Sequence, residues 1–172
     1  MTNNHPDCKF HVIFSRGNRM ALFLVQHGRS LSKDIDPEQG LSEEGMAEAR
    51  RIAEVAGGYG VTVSRIIHSG KKRARQTAEI LDSFLKPQGG VHEAQGLKPL
   101  DDVAVWAGKI DSGDNLMLVG HLPFMSKLTS FLIAGSTDNP VFRFQNGGIL
   151  CLDIDPDSRA WIICWSLMPK IG

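Results

Sequence analysis

The stretch Ala21–Ser30, which reads ALFLVQHGRS, constrains the fold of this chain more than any other. The apolar run Ala21–Val25 is too short for a helix and is typical of a strand buried on both faces. Gln26, His27 and Gly28 end it, and a parallel strand delivers such residues to the carboxyl edge of the sheet, where open α/β sheets place ligands. His27 is therefore the first candidate for a reacting group, although a hydrogen-bonded structural histidine is the alternative.

The bulk composition excludes several classes of protein. Nineteen basic and nineteen acidic side chains cancel in the 172-residue chain, so no overall charge attracts it to nucleic acid or membranes. Cys151 and Cys164 stand in apolar runs typical of buried thiols, without CxxC spacing, which favours a cytoplasmic setting. We see no signal peptide and no membrane span. We expect a loose N-terminal extension over residues 1–19 and a single domain over residues 20–172.

Predicted strands alternate with predicted helices along most of the chain. The strands are Ala21–Val25, Val61–Ile67, Val91–Glu93, Asn115–Val119, Val141–Phe144, Ile149–Ile154 and Trp161–Ser166. The first predicted helix is capped by Ser42, buries Met46, Ala49, Ile52, Ala53 and Ala56, and ends at Gly57-Gly58. The others are Lys71–Leu85, Val103–Ile110 and a helix that begins at Pro123. The last three strands are separated by hairpin-turn signals. This order predicts a three-layer α/β/α domain with a mixed, mostly parallel central sheet.

Polar residues beside glycine end three of the predicted strands. They are Gln26-His27-Gly28, His68-Ser69-Gly70 and Gly120-His121. If these strands are parallel neighbours, His27 and His121 share one crevice. Arg73, in the first turn of the following helix, adds a bidentate donor beside free backbone N–H groups. Two imidazoles, a guanidinium and a helix end describe a site for a phosphoryl group.

Other interpretations of these residues remain. The run Lys71–Arg75 is a solvated charged face or a nucleic-acid patch, and the neutral net charge favours solvation of Lys71, Lys72 and Arg75. A zinc site built on His27 and His121 lacks a third ligand at a familiar spacing, so we predict no metal and no cofactor.

Together, these motifs resemble the histidine phosphatase superfamily, with its phosphoglycerate-mutase-like fold, and within it the SixA-type phosphohistidine phosphatases. The resemblance covers about residues 21–166. Four motifs of the family have counterparts in this chain. Arg-His-Gly corresponds to Gln26–Gly28, and Ser-Pro-x-x-Arg-Ala-x-Gln-Thr corresponds to Ser69–Thr77. Leu-x-Pro-x-x-Asp corresponds to Leu97–Asp102, and Val-Gly-His-x-Pro corresponds to Val119–Pro123. A leucine-led helix opening reads Leu41–Gly45.

The resemblance implies a metal-independent phosphatase. His27 would be the nucleophile that forms a phosphohistidine enzyme, and Arg73 and His121 would stabilise the phosphoryl oxygens. Ser69 and the loop after Gly28 would add neutral donors. Asp102 matches the family's aspartate and is the candidate general acid. The substrate would be a phosphohistidine-bearing protein or a small phosphorylated molecule.

The main departure from the family is Gln26, which stands where the family has a phosphate-binding arginine. Its amide carries no charge, and the loss of one charged contact costs about 2–4 kcal/mol of transition-state stabilisation. We expect Arg29 to compensate in part, and Lys33 in the following loop is the alternative cation. The alternatives are a catalytically weakened module that binds phosphorylated ligands, or a broad phosphomonoesterase.

Overall fold

In the computed structural model, which describes residues 21–110 and 114–170, six strands form one sheet in the order β3-β2-β4-β1-β5-β6. The strands are β1 (Leu22–Gln26), β2 (Arg65–His68), β3 (Val91–Glu93), β4 (Leu116–Gly120), β5 (Ile149–Ile154) and β6 (Trp161–Leu167). The helices are α1 (Glu43–Gly58), α2 (Lys72–Leu85), α3 (Val103–Ala107) and α4 (Phe124–Ala134). The proposed extension over residues 1–19 lies outside the described residues.

The sheet has helices on both faces. Strands β3, β2, β4 and β1 are parallel, whereas β5 runs antiparallel to β1. Successive side chains of a strand point to opposite faces, and on β1 Phe23 and Val25 pack with α1 and α2 while Leu22 and Leu24 pack with α3 and α4. The predicted three-layer α/β/α architecture with a mixed sheet is therefore confirmed.

Local signals account for most helix boundaries. The hydroxyl of Ser42 accepts a hydrogen bond of 3.0 Å from the Gly45 amide and caps α1, as its sequence predicts. Met46 was expected on the buried face of α1, but it is 39% exposed because the buried stripe runs through Gly45 and Ala49 instead. Helix α3 ends at Ala107, short of the predicted Ile110, and Gly108 is its C-cap.

The predicted strand Val141–Phe144 is wrong. This segment is irregular, and β5 takes the place beside β1, so the chain ends in a two-stranded hairpin. The turn that follows the segment explains the difference, because the Gly147 amide donates to the Gln26 carbonyl at 2.8 Å and carries the chain past the end of β1. Phe144 packs into the core beside α3 and α4.

Two further features bear on the bulk predictions. Cys151 is buried in β5 as expected, whereas Cys164 is exposed on β6, the outermost strand. Among residues 21–110 and 114–170, none of the helices is both long enough and apolar enough to cross a membrane.

Candidate active site

The carboxyl ends of β1, β2 and β4 form the floor of the candidate site. Gln26 lies opposite Gly120, and His68 lies opposite Val119. The backbone amide of His27 donates to the Gly120 carbonyl at 3.0 Å, and the His27 and His121 rings lie 4.8 Å apart between centroids. The two histidines therefore share one crevice, as the strand ends predict.

Hydrogen bonds at both ring nitrogens define the tautomer of His27. Its Nδ1 lies 2.7 Å from the Gly28 carbonyl oxygen, and its Nε2 lies 3.1 Å from Nε of Arg73. A guanidinium only donates and a carbonyl only accepts. The Nδ1 atom therefore carries the proton, and Nε2 presents its lone pair.

The surroundings of His27 keep the ring neutral. Burial is the largest cause that lowers its pKa, to about 4, and the positive charges of Arg73 and Lys71 act in the same direction. The hydrogen bond to the Gly28 carbonyl opposes the shift. Near neutral pH, Nε2 is thus unprotonated and carries a lone pair.

His121 is the second neutral ring in the crevice. It is almost fully buried, and its Nε2 lies 2.6 Å from the hydroxyl oxygen of Ser69. Burial lowers its pKa to about 3, with contributions from His27, Arg73 and Lys71. Its Nδ1 is buried and has no hydrogen-bond partner among the described residues. A neutral imidazole with this bonding can donate one N–H to a ligand.

One face of helix α2 holds together the turn at His27-Gly28 and Arg73. The buried Thr77 hydroxyl accepts from the Gly28 amide at 3.0 Å and donates to the Arg73 carbonyl at 2.7 Å. The Gln76 side chain accepts from the Leu41 amide at 2.7 Å. The motif Ser69–Thr77 contains all three residues, but the sequence predicted a role in the site for Arg73 and not for Gln76 or Thr77. Their spacing places all three on one helix face.

A turn before β5 binds the backbone of Gln26 and His27. The Asn146 side-chain amide donates to the His27 carbonyl at 3.0 Å. The Gly147 amide bonds the Gln26 carbonyl at 2.8 Å, and its backbone φ of 77° suits glycine. The hairpin-turn signal between the predicted strands Val141–Phe144 and Ile149–Ile154 gives no indication that this turn contacts Gln26 and His27.

The loop over residues 30–41 folds back onto the start of α2. Asp36 anchors it, accepting from the Gly40 amide at 2.8 Å and from Nζ of Lys72 at 2.9 Å. The bond with Lys72 lowers the pKa of Asp36 and raises that of Lys72. The loop then brings the side-chain oxygen Oε1 of Gln39 to 3.4 Å from Nη1 of Arg73. Arg73 is thus contacted by both His27 and the loop.

The remaining predicted binding residues take different positions. The Gln26 carbonyl oxygen Oε1 is buried without a hydrogen-bond partner among the described residues. The Arg29 guanidinium pairs with Glu44 at 3.1 Å and Glu48 at 3.7 Å, both on α1. Gly28 approaches α1 closely, since a Cβ there would meet the Gly45 carbonyl oxygen at 3.1 Å.

Asp102, the candidate acid, stands between β3 and α3, with Asp101 beside it and Glu93 at the end of β3. Asp102 is exposed and caps α3, accepting from the Ala104 amide at 2.9 Å. The Asp101 carboxylate accepts from the Lys98 amide at 2.7 Å. Glu93 stands over Gly70, where a Cβ would collide with its carboxylate. Gly70 has a φ of 82°, which proline cannot adopt.

The part of the chain that the structure describes contains no group of three or more His, Cys, Asp or Glu side chains that could hold a metal ion.

Comparisons with known proteins agree with this geometry. The model of the histidine phosphatase superfamily (branch 1) matches residues 22–109. Phosphohistidine phosphatase SixA of Escherichia coli strain K12 is 27% identical over 156 residues, covering 87% of this chain and 94% of that protein.

Solved structures match over a similar extent. The protein histidine phosphatase SixA complexed with tungstate has a TM-score of 0.75 and 25% identity, covering 87% of this chain and 97% of that one. The putative phosphohistidine phosphatase SixA from Agrobacterium tumefaciens has a TM-score of 0.71 and 23% identity, covering 88% and 99%. Both share the fold described above.

Proposed function

Because the chain belongs to the histidine phosphatase superfamily, we propose that it hydrolyses phosphohistidine through a covalent intermediate on His27. The observation that carries the proposal is the orientation of the His27 ring. The Gly28 carbonyl holds its Nδ1, and Nε2 stays unprotonated and faces Arg73. The likeness to SixA supports the choice of phosphohistidine as substrate class. The cytoplasmic location stays a prediction from the cysteine pattern.

The proposed reaction has two steps at phosphorus. Nε2 of His27 attacks in line, its bond to phosphorus forms, and the bond to the substrate imidazole breaks. The substrate ring, protonated on its other nitrogen, leaves as neutral imidazole. Water then attacks the phosphorylated ring, both of its protons end on the phosphate that is released, and His27 returns to its neutral form. Because Nδ1 keeps its proton at the Gly28 carbonyl, the phosphorylated ring is cationic and leaves readily.

The neighbouring groups would stabilise the charge that spreads over the phosphoryl oxygens. The guanidinium of Arg73 donates from atoms other than the Nε that faces His27. His121 donates one N–H, with Ser69 beside it. Gln26 and the turn at Gly28 border the same space.

The weak evidence for a general acid favours a substrate in which a nitrogen–phosphorus bond (N–P bond) is cleaved. Asp102 caps α3 through Oδ1, which occupies that oxygen with a structural bond. A leaving imidazole has a conjugate acid with a pKa near 6.5, so it needs less protonation than an alkoxide. We therefore propose that phosphohistidine is cleaved faster than phosphate monoesters.

A second candidate function follows from Gln26. Its side chain is uncharged, with Oε1 buried and without a hydrogen-bond partner among the described residues, so it brings the site no positive charge where the family has arginine. On this reading the protein binds a phosphorylated protein or small molecule without turnover.

The test is phosphate release from a phosphohistidine-carrying protein, with wild type and His27→Ala compared in the presence of a metal chelator. We expect turnover that vanishes in His27→Ala, and acid-quenched wild type should carry phosphate on His27. Slower release from p-nitrophenyl phosphate supports the N–P preference, whereas equal rates favour the broad phosphomonoesterase. Phosphate binding without turnover in the wild type establishes the binding module.

A further inference from the structure

The candidate site is short of positive charge for a phosphoryl dianion. His27 and His121 are both held neutral, and Gln26 is uncharged. Among the described side chains, Arg73 is the formal cation that contacts the nucleophile. Charge-assisted hydrogen bonds to phosphoryl oxygens are about twice as strong as neutral ones. A second cation near these groups would therefore strengthen the binding of a phosphoryl group considerably.

Most of the nearby basic side chains are already paired with carboxylates. Arg29, the substitute expected from the sequence, binds Glu44 and Glu48 of α1. Lys72 binds Asp36 and Glu38 in the loop over residues 30–41. Arg75 pairs with Glu79 one turn along α2. Each of these cations would lose an ion pair if it moved to the site.

Lys71 differs from these neighbours, because it makes no ion pair with any residue in the described ranges 21–110 and 114–170. It is exposed and is the N-cap residue of α2. Ser69, two residues before it, contacts His121, and Arg73, two residues after it, contacts His27. The backbone therefore places Lys71 between the two contacts that define the crevice.

The charge of Lys71 also reaches both rings. It lowers the pKa of His27 and that of His121, and among the described residues Arg73 is the other cation that does so. A lysine ammonium is a compact point charge on a flexible four-carbon stem, which suits an ion that arrives with the substrate.

We infer that Lys71 binds the phosphoryl group and supplies the positive charge that Gln26 does not. This inference rests on the proposed phosphoryl site and revises the expectation that Lys71 is merely solvated. It also makes Lys71 and Gln26 a coupled pair. A chain with arginine at position 26 would not need the lysine, and a chain with glutamine there would.

A double-mutant cycle tests the coupling directly. We expect Lys71→Ala to weaken orthovanadate binding, measured by calorimetry, and kcat/KM on a phosphohistidine protein by about 10- to 100-fold. In the Gln26→Arg background the same change should cost less than about 3-fold, because the arginine supplies the charge. Arg75→Ala, an exposed cation on the same helix, is the matched control and should leave both quantities unchanged.

Equal losses in the two backgrounds, or no loss in either, would overturn the inference. Should Gln26→Arg fail to fold, Lys71→Arg and Lys71→Gln decide instead: arginine should keep vanadate affinity within about 3-fold and glutamine should not. Loss of vanadate affinity in both variants, or in neither, would show that Lys71 does not supply the charge that binds the phosphoryl group. Vanadate affinity separates this test from the proposed function, because it responds to Lys71 even if the protein turns over no substrate.

Discussion

The two sides of the site are built differently. On the α2 side, side chains bind backbone directly, since Thr77 holds Gly28 and Gln76 holds Leu41. On the side of α4, Leu122 and Val141 line one pocket and are 40% and 39% exposed, respectively. Directed hydrogen bonds thus fix one half of the crevice, whereas an irregular, partly apolar surface borders the other.

This difference separates two tasks of a phosphatase. The phosphoryl group is common to all of its substrates and requires donors fixed to within a fraction of an ångström. The leaving group varies, and an open surface leaves room for a bulky one. We therefore expect substitutions on the α2 side to change the rate and those on the opposite side to change stability or substrate choice.

The largest effect that we expect on the fixed side is that of Arg73→Ala. Loss of this guanidinium should lower kcat about 100- to 1000-fold, because it removes donors to the transition state and the partner of His27 Nε2. Arg73→Lys should recover little, since an ammonium cannot keep the planar fork. Steady-state kinetics on a phosphohistidine protein measures both. Activity of either variant within about 5-fold of wild type would contradict a fixed phosphoryl-binding half.

The next effect is that of Thr77→Val, which removes the hydroxyl at nearly constant shape. Two hydrogen bonds are lost and the Gly28 amide is left buried without its partner, so we expect destabilisation of about 1–3 kcal/mol. The rate should fall about 10-fold in kcat with little change in KM, because the nucleophile is misplaced. Thr77→Ser keeps the hydroxyl and should retain kcat. If valine lowers only the unfolding midpoint, Thr77 has no positioning role.

The sequence predicted the parts of this comparison that depend on local pattern. Strand ends marked by polar residues and glycine located His27 and His121, and the motif at the start of α2 located Arg73. The bonds from Thr77, Gln76 and Asn146 to backbone groups were not predicted, because they join residues 35 to 119 positions apart. Pairing across such distances depends on tertiary packing, which periodicity does not encode.

The same limit explains why the predicted strand Val141–Phe144 is wrong and why the ion pairs of Arg29 were not predicted. Val141–Phe144 has the composition of a strand, but its neighbour in the sheet is decided by the turn at Asn146-Gly147. Arg29 is near His27 in sequence, yet the two carboxylates that bind it come from α1. Neighbours in sequence are a poor guide to the partners of a long charged side chain.

A smaller effect is expected in the pH profile. With the pKa of His27 near 4, its ring stays neutral at pH 5, so kcat/KM should fall less than about 3-fold between pH 7.5 and pH 5. A histidine with a pKa near 6.5 would lose about 30-fold. Histidine NMR titration provides an independent check. An apparent pKa of His27 near 6.5 would show that burial does not protect the nucleophile.

The same lowered pKa values have a consequence for stability. The unfolded chain binds protons at its histidines near pH 6.5, whereas folded His27 and His121 bind theirs near 4 and 3. Between these values the unfolded state holds more protons, so the free energy of unfolding should decrease as the pH falls from about 6.5 towards 4. Urea unfolding at several pH values measures this slope, and His27→Gln should reduce it.

The smallest effect belongs to the open side, at Asp102. Asparagine is as good an N-cap as aspartate but cannot donate a carboxylic proton, so Asp102→Asn separates the two roles. With an N–P substrate we expect kcat within about 2-fold of wild type for Asp102→Asn, because the imidazole leaves with little help. Asp102→Ala should lose about 1 kcal/mol of stability through the cap to Ala104. A large loss of kcat in Asp102→Asn, with an unchanged unfolding midpoint, would instead make Asp102 the general acid and assign catalytic chemistry to the open side as well.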